Sequence, residues 1–244
     1  MCWSGEASAA IAVVGLSSAY LLKKKGEKKE IYIPTAYFVL MEGLQALTYL
    51  VVNQCGNEYN VLFTRLAILH IAFQPFFINM LGMAFIKPEI KQRIKKRVYI
   101  LSGIVAAAII WRLVPMYETF GHCEAGSALC SHVRTCSVSG SWHIAWDVML
   151  NGFGPYWMFY IFGGFLLPLF YGSWRWVLYH FIVGPVMASF STSNPNEMPA
   201  VWCLFSTMII ALMVNTRIRK FIYVKSWFLW KYMGETKTIE NKEG

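Results

Sequence analysis

The chain has 244 residues, of which 57% are hydrophobic and 14% are charged. Soluble domains carry about 25% charged residues, so this composition favours long apolar segments in contact with lipid. The formal net charge is +9, but the basic residues fall between apolar runs and near the C-terminus. No stripe of basic residues runs along a polar helix, and we therefore expect no nucleic-acid partner.

Apolar runs predict seven transmembrane helices, because a helix needs about 20 mostly apolar residues to cross a bilayer. In chain order the runs cover residues 7–22, 31–53, 59–86, 98–116, 146–171, 174–192 and 198–216. The second begins near Pro34, the third stops at Lys87 and Pro88, and the seventh carries Pro199 in its first turn. The sequence thus predicts an all-α integral membrane bundle of about seven helices.

Lysine and arginine predict the orientation of this bundle, since cytoplasmic connections carry an excess of both. Most of the 22 basic residues lie in the first, third and fifth connections and in the C-terminal tail. The opposite connections carry only Arg134. The prediction is a multi-pass protein with its N-terminus outside and its C-terminus in the cytoplasm, in the plasma membrane or another membrane with an oxidising outer side.

The cysteines agree with that orientation. Cys55, Cys123, Cys130 and Cys136 fall in connections assigned to the outside, three of them in a long external loop at 117–145. Disulfides persist in oxidising compartments. Four cysteines allow three pairings, and the sequence does not choose among them.

The chain divides into a transmembrane domain at 1–217, an interfacial segment at 218–233 and a polar tail at 234–244. In the second segment Phe221, Trp227 and other aromatic residues alternate with cations, which predicts an amphipathic helix on the inner leaflet. The alternative is an extension of the seventh span. The tail is predicted to be disordered.

Two ionisable residues are predicted near the bilayer midplane. Glu42 and His70 each lie about eleven residues into their helices. Burying an ionisable group in a bilayer is costly, so each of the two is a candidate functional residue. Gln45 shares a helix face with Glu42 at i,i+3, and Gln74 shares one with His70 at i,i+4. A Glu42–His70 pair could relay protons, coordinate a cation or bind a polar substrate. The alternative is a hydrogen-bonded network that joins two helices.

A second polar group is predicted near the outer face. His143 and Asp147 are four residues apart at the start of the fifth predicted helix, a spacing that lets an imidazole and a carboxylate bind one metal or form an acid–base pair. The alternative for His143 is an interfacial residue between two tryptophans. Glu197 precedes the seventh predicted helix, and Arg65 and Arg112 lie in the outer halves of the third and fourth.

Cys2 supports a separate hypothesis. Removal of Met1 would leave an N-terminal cysteine whose amine and thiolate can chelate a metal, or a thiol that pairs with an external cysteine. Candidate ligands of a divalent metal are then His70, His143, Asp147 and Cys2. Candidate catalytic residues are Glu42, His70, His143 and Asp147, and candidate ligand-binding residues are Gln45, Gln74, Arg65, Arg112 and Glu197.

The chain resembles an uncharacterised family of small polytopic membrane proteins. The resemblance lies in the opening Met1-Cys2-Trp3-Ser4 and in the segments 70–75, 142–146 and 196–203. It covers most of the chain, but the family has no established activity and so implies no catalytic residues. The seven-span plan is also similar to that of receptors, opsins and membrane hydrolases, and fold does not imply function.

Three functions remain open. The first is a membrane enzyme or metal-handling protein with an outward-opening site for metal-assisted or acid–base chemistry. The second is a proton-coupled transporter of a small solute, in which Glu42 and His70 titrate. The third is a receptor or sensor with the cysteine-rich loop as a lid. For all three functions we expect the lipid bilayer as a partner and a small molecule or a lipid as the ligand.

Overall fold

Four long helices form the first half of the chain in the computed structural model, which describes residues 3–233. They are α1 (Gly5–Lys24), α2 (Lys29–Tyr49), α3 (Glu58–Gly82) and α4 (Pro88–Trp111). Side-chain caps begin two of them, since Ser4 accepts a hydrogen bond from the N–H of Ala7 and Asn57 accepts one from Tyr59. A 3₁₀ turn at Met83–Phe85 follows α3.

Each of these helices packs against the next in the chain. α1 and α2 approach each other closely at Gly15, where an added Cβ would lie 2.5 Å from the side chain of Val39. Such a distance leaves room for hydrogen alone, so Gly15 sets how tightly the two helices pack.

The second half of the chain consists of shorter helices and one small sheet. The helices are α5 (Tyr117–Phe120), α6 (Tyr156–Ile161), α7 (Leu167–Phe170), α8 (Trp174–Phe181), α9 (Met187–Ser191), α10 (Met198–Ser206), α11 (Ile209–Val214) and α12 (Thr216–Ile222). A π-helical turn at Phe162–Leu166 joins α6 to α7, and another at Ile182–Val186 joins α8 to α9. A 3₁₀ turn at Trp230–Met233 ends the described chain.

The sheet has three strands, β1 (Cys130–Ser131), β2 (Cys136–Ser139) and β3 (Ile144–Met149), in the order β1-β3-β2. β1 is parallel to β3, and β2 is antiparallel to it. The central strand is buried on both faces, since Ile144, Ala145 and Trp146 are consecutive and all buried. A strand covered on both faces is mostly apolar, so residues 146–149 of β3 extend the apolar run of the following helices and give 146–171 the pattern of one long helix.

The prediction of an all-α bundle of seven transmembrane helices is wrong. Among residues 3–233, two helices have the length and composition to cross a membrane, Gly5–Lys24 and Glu58–Phe85, and core helices of soluble proteins and signal sequences meet the same criterion. The fifth predicted span is part strand, the sixth is interrupted by a π-helical turn, and the seventh is broken after Ser206. The multi-pass, N-outside topology rested on those seven spans and is corrected with them.

Two disulfides select one of the three possible pairings. Cys55 bonds to Cys136 and Cys123 bonds to Cys130, while the thiol of Cys203 is free and buried. The first bond ties the α2–α3 connection to β2. Two disulfides together with two apolar helices are typical of a chain in an oxidising compartment, either secreted or at a membrane.

The C-terminal segment contains a short helix. α12 ends at Ile222, and residues 223–229 are not helical, so the interfacial segment predicted at 218–233 is not one continuous helix. The tail predicted at 234–244 and the candidate ligand Cys2 lie outside the described residues.

Candidate functional site

A pair of buried polar residues on α2 lacks hydrogen-bond partners. Glu42 and Gln45 share one face of the helix and are both fully buried. Neither carboxylate oxygen of Glu42 and neither amide atom of Gln45 has a partner among the described residues. Nearly all buried polar atoms in native proteins are paired, and an unpaired one costs about 1–3 kcal/mol. Four such atoms within one turn of helix therefore indicate a site rather than ordinary packing.

The environment of Glu42 favours its protonated form. Burial raises the pKa of this carboxyl to about 7, and the nearby Ser8 hydroxyl, which forms no hydrogen bond of normal geometry with it, lowers the pKa only in part. Ser8 is itself fully buried on α1 and accepts a hydrogen bond from the indole N–H of Trp3 at 2.9 Å. The pair on α2 is thus covered by the N-terminal end of α1.

Tyr49 connects this helix face to His143. Its hydroxyl lies 2.8 Å from Nδ1 of His143, and the two rings stack with centroids 5.7 Å apart. His143 is fully buried, and its Nε2 has no partner within the described part of the chain. Burial lowers the pKa of His143 to about 4, with the charge of Glu197 acting in the opposite direction, so the ring is neutral at pH 7.

Tyr49 lies two helical turns after Glu42 on α2, and the two side chains interact electrostatically. Burial raises the pKa of the Tyr49 phenol, and the charges of Glu42 and Glu197 raise it further. We call the residues Glu42, Gln45, Tyr49 and His143 the Glu42 cluster.

Glu197 holds the loop that carries His143. Its carboxylate accepts hydrogen bonds from the backbone N–H groups of Ser141, Trp142 and His143 and from the hydroxyl of Thr192. Burial raises the pKa of Glu197, but these four hydrogen bonds outweigh it, and the pKa lies below its ordinary value.

Gly140 permits this close approach, because an added Cβ would lie 2.4 Å from the carboxyl carbon of Glu197. The sequence predicts Glu197 as a ligand-binding residue. Both of its carboxylate oxygens instead accept hydrogen bonds within the fold, so it acts as a positioning residue for the loop of His143.

His70 does not form the predicted pair with Glu42. Its Nε2 lies 2.8 Å from the backbone oxygen of Tyr37, and the Tyr37 hydroxyl donates to the backbone oxygen of His70 at 2.6 Å. The two rings stack with centroids 4.1 Å apart. His70 therefore joins α2 to α3 through Tyr37 and stands apart from the Glu42 cluster.

His143 and Asp147 do not converge either. Asp147 lies on β3, where it accepts a hydrogen bond from the Asn196 amide at 3.0 Å and lies 3.5 Å from Nε of Arg134. Residues four apart are about 6 Å from each other on a helix but about 13 Å apart in extended chain. The predicted metal site assumed a helix at this point, and the strand separates its two members.

The described residues contain one group of metal-binding type at short range, Cys123, Cys130 and His132. Its two sulfurs form a disulfide, and a thiolate rather than a disulfide sulfur is the usual metal ligand. Of the predicted arginines, Arg65 is exposed on α3, whereas Arg112 is 3% exposed and donates from Nε to the backbone oxygen of Asn151.

A small apolar pocket lies among α3, α6 and α10. It has a volume of about 140 Å³ and is walled by Ile71, Trp157 and Trp202 among others. Its polar floor, which we call the Gln74 floor, consists of Gln74, Tyr160 and Cys203. The Tyr160 hydroxyl donates to Oε1 of Gln74 at 2.6 Å, and Nε2 of Gln74 donates to Sγ of Cys203 at 3.3 Å.

The floor of this pocket is electrostatically coupled to the Glu42 cluster. Burial raises the pKa of the Cys203 thiol to about 12, the Gln74 hydrogen bond lowers it, and the charge of Glu42 raises it. A second, more polar cavity of about 420 Å³ shares Ala128 and Trp157 with the pocket and includes Arg112 and Glu124 in its lining. The apolar pocket thus contacts both the Gln74 floor and, through Ala128 and Trp157, the more polar cavity.

Comparison with known proteins identifies a family for the chain but no activity. Residues 6–223 match the model of a family of unknown function, DUF5765. No curated protein and no solved structure gives a match. The match covers both halves of the fold, including the Glu42 cluster and the Gln74 floor. The chain therefore belongs to DUF5765.

Proposed function

We propose that the chain performs acid–base chemistry, exchanging a proton at Glu42 with a small molecule bound on the Gln74 floor. The observation that carries this proposal is the pair of fully buried side chains, Glu42 and Gln45, whose four polar atoms have no partner in residues 3–233. Such atoms are uncommon in native folds, where a bound water, an ion, strain or a catalytic role accounts for them, and we propose the catalytic role for this pair.

The acid–base role rests on where Glu42 titrates. A carboxyl with a pKa of about 7 is half protonated at neutral pH, so it can both accept and donate a proton. Tyr49 and the neutral His143 extend the site with two further groups that can pass a proton along a hydrogen bond. Because a proton can move along hydrogen bonds without an open channel, the burial of these residues is compatible with proton exchange.

The volume of the pocket limits the size of the guest. A dry cavity of about 150 Å³ accommodates benzene, and this pocket has about 140 Å³. The lining is almost wholly apolar, and the amide of Gln74 and the hydroxyl of Tyr160 are hydrogen-bonded to each other at the floor, so a polar guest would exchange with that hydrogen bond. The guest that fits is a small ring or short chain with one hydroxyl or carbonyl group.

Exposed apolar side chains support a lipid environment for this chemistry. On α1 alone, Val13, Val14 and Tyr20 are each more than 60% exposed. Contiguous exposed apolar surface of this kind marks a protein or membrane contact. We propose that lipid covers the exposed face of α1.

The protonation of Glu42 can be tested directly by difference infrared spectroscopy across the neutral pH range. We expect the carbonyl stretch of a protonated carboxyl to disappear as the pH rises through about 7. Glu42→Gln should remove this signal, and Glu58→Gln, which alters an exposed carboxylate on α3, should retain it. A signal that survives in Glu42→Gln would assign the titration to another group and overturn the proposal.

The guest can be tested with phenol and benzene as probes in isothermal titration calorimetry. Both should bind the wild-type chain, and Gln74→Leu should weaken phenol about tenfold, since one net hydrogen bond of about 1.4 kcal/mol is lost. Benzene, which has no polar group, should bind the variant as well as the wild type. Equal losses for both probes would mean that Gln74 only shapes the pocket, and failure of both to bind would remove the pocket from the proposal.

A further inference from the structure

A cationic cavity lies beside α12, distant in sequence from every member of the Glu42 cluster. It has a volume of about 460 Å³, and three of its seven lining residues are the cations Arg175, Lys220 and Lys225. Trp174, Tyr223, Val224 and Ser226 complete the lining, which includes no carboxylate. We call this cavity the α12 pocket.

Arg175 is held in place but has free donors. Nη1 donates to the backbone oxygen of Phe221 at 2.6 Å, and the guanidinium lies over the rings of Trp174 and Phe221, 5.2 and 5.3 Å from their centroids. A guanidinium has five N–H donors in a rigid fork that matches the oxygens of a phosphate. One donor is used here, so a preorganised group remains available to an anion.

Two other cations of the chain have acidic partners, which the cations of the pocket lack among the described residues. Arg219 pairs with Glu27 at 2.7 Å, and Lys91 pairs with Glu30. In the described part of the chain, Arg175, Lys220 and Lys225 form no ion pair with a carboxylate. Three cations around one cavity, with no carboxylate partner among residues 3–233, therefore favour an anionic occupant.

The surface around the pocket favours a lipid as the source of that anion. Phe221, Phe228 and Tyr232 are 72%, 66% and 76% exposed on the same C-terminal segment. Exposed aromatic side chains beside cations are typical of segments that lie at a membrane surface, where anionic lipids attract Lys and Arg. An isolated soluble anion would not require these apolar neighbours.

We infer that the α12 pocket binds the phosphate headgroup of an anionic lipid. Arg175 supplies the oriented fork, Lys220 and Lys225 supply two exposed cations of the lining, and the exposed aromatic residues contact the acyl region. This site is independent of the proton chemistry proposed for Glu42, because none of its residues belongs to that cluster.

The test uses the full chain and short-chain phosphatidic acid, titrated in a calorimeter. We expect saturable binding that Lys220→Gln/Lys225→Gln weakens about thirtyfold, which is about fivefold per lysine. The matched control is Lys95→Gln/Lys96→Gln, which removes the same charge from two exposed lysines on α4 and should bind like the wild type. Equal weakening in both double variants would show attraction by net charge alone and would overturn the site.

Two further probes distinguish the source of the anion. Short-chain phosphatidylcholine, whose headgroup has no net charge, should bind at least tenfold more weakly than phosphatidic acid. Inorganic phosphate should also bind more weakly, because it lacks the acyl region that meets the aromatic residues. Phosphate binding as tight as that of the lipid would overturn the lipid assignment and leave a site for a soluble phosphate. Failure of both anions to bind would reject the pocket as an anion site.

Discussion

Replacing Glu197 with alanine is expected to lower the free energy of unfolding by about 4 kcal/mol. The substitution leaves the N–H groups of residues 141–143 and the hydroxyl of Thr192 without their shared acceptor. Removing one partner of a buried, hydrogen-bonded charge typically costs about 3–5 kcal/mol. For a chain of this length the thermal unfolding midpoint should fall by about 8–16 °C.

The control for this prediction is Glu118→Ala, which removes an exposed carboxylate from α5 and should change stability by no more than about 0.5 kcal/mol. A midpoint for Glu197→Ala within that range of the wild type would show that the loop 140–143 does not depend on Glu197.

The pH dependence gives a second check on Glu197. Its pKa is lower in the folded chain than its ordinary value of 4.5, so the ionised form stabilises the fold above about pH 4.5. That contribution is lost as the pH falls through the folded-state pKa. The stability difference between the wild type and Glu197→Gln should therefore shrink in acid. A constant difference down to acidic pH would mean that the carboxylate charge contributes nothing.

The long helices of the first half could be predicted from the sequence, and their use as membrane spans could not. The runs 7–22, 31–53 and 59–86 match α1, α2 and α3 with its following turn. An apolar run shows that a segment is buried, but it does not show whether lipid or protein covers it. β3 illustrates the same limit, because a strand buried on both faces and a helix in lipid are both mostly apolar and cannot be told apart over a short run.

For the candidate site, spacing within one helix was informative and contacts between elements were not. Glu42 and Gln45 share a buried face, as their i,i+3 spacing predicts. Tyr49, seven residues after Glu42, lies on that face too, so its place in the cluster could have been predicted from the same spacing. His70 pairs with Tyr37 instead of Glu42 because the rotation of α3 against α2 decides which side chains meet, and that rotation is set by packing along the whole interface.

Replacing Glu42 with glutamine is expected to stabilise the fold at pH 8 by about 3 kcal/mol and to change it little at pH 4.5. The pKa of Glu42 is about 7 in the folded chain against an ordinary value of 4.5, and each pKa unit corresponds to about 1.4 kcal/mol. The folded state therefore holds this proton more tightly than the unfolded state. Stability is greatest below about pH 4.5, falls as the pH rises, and reaches its lower value above about pH 7.

The measurement is the thermal unfolding midpoint of the wild type, Glu42→Gln and the exposed-site control Glu58→Gln at the two pH values. The expected gain for Glu42→Gln at pH 8 is about 6–12 °C, and the control should follow the wild type at both. A Glu42→Gln variant less stable than the wild type at pH 8 would mean that a bound cation or an ordered hydrogen-bond donor stabilises the carboxylate. A gain at pH 8 would instead show that the chain retains an ionisable group at a cost in stability. Proteins accept such a cost mainly at functional sites, so this outcome would support proton exchange at Glu42 by a route independent of any ligand.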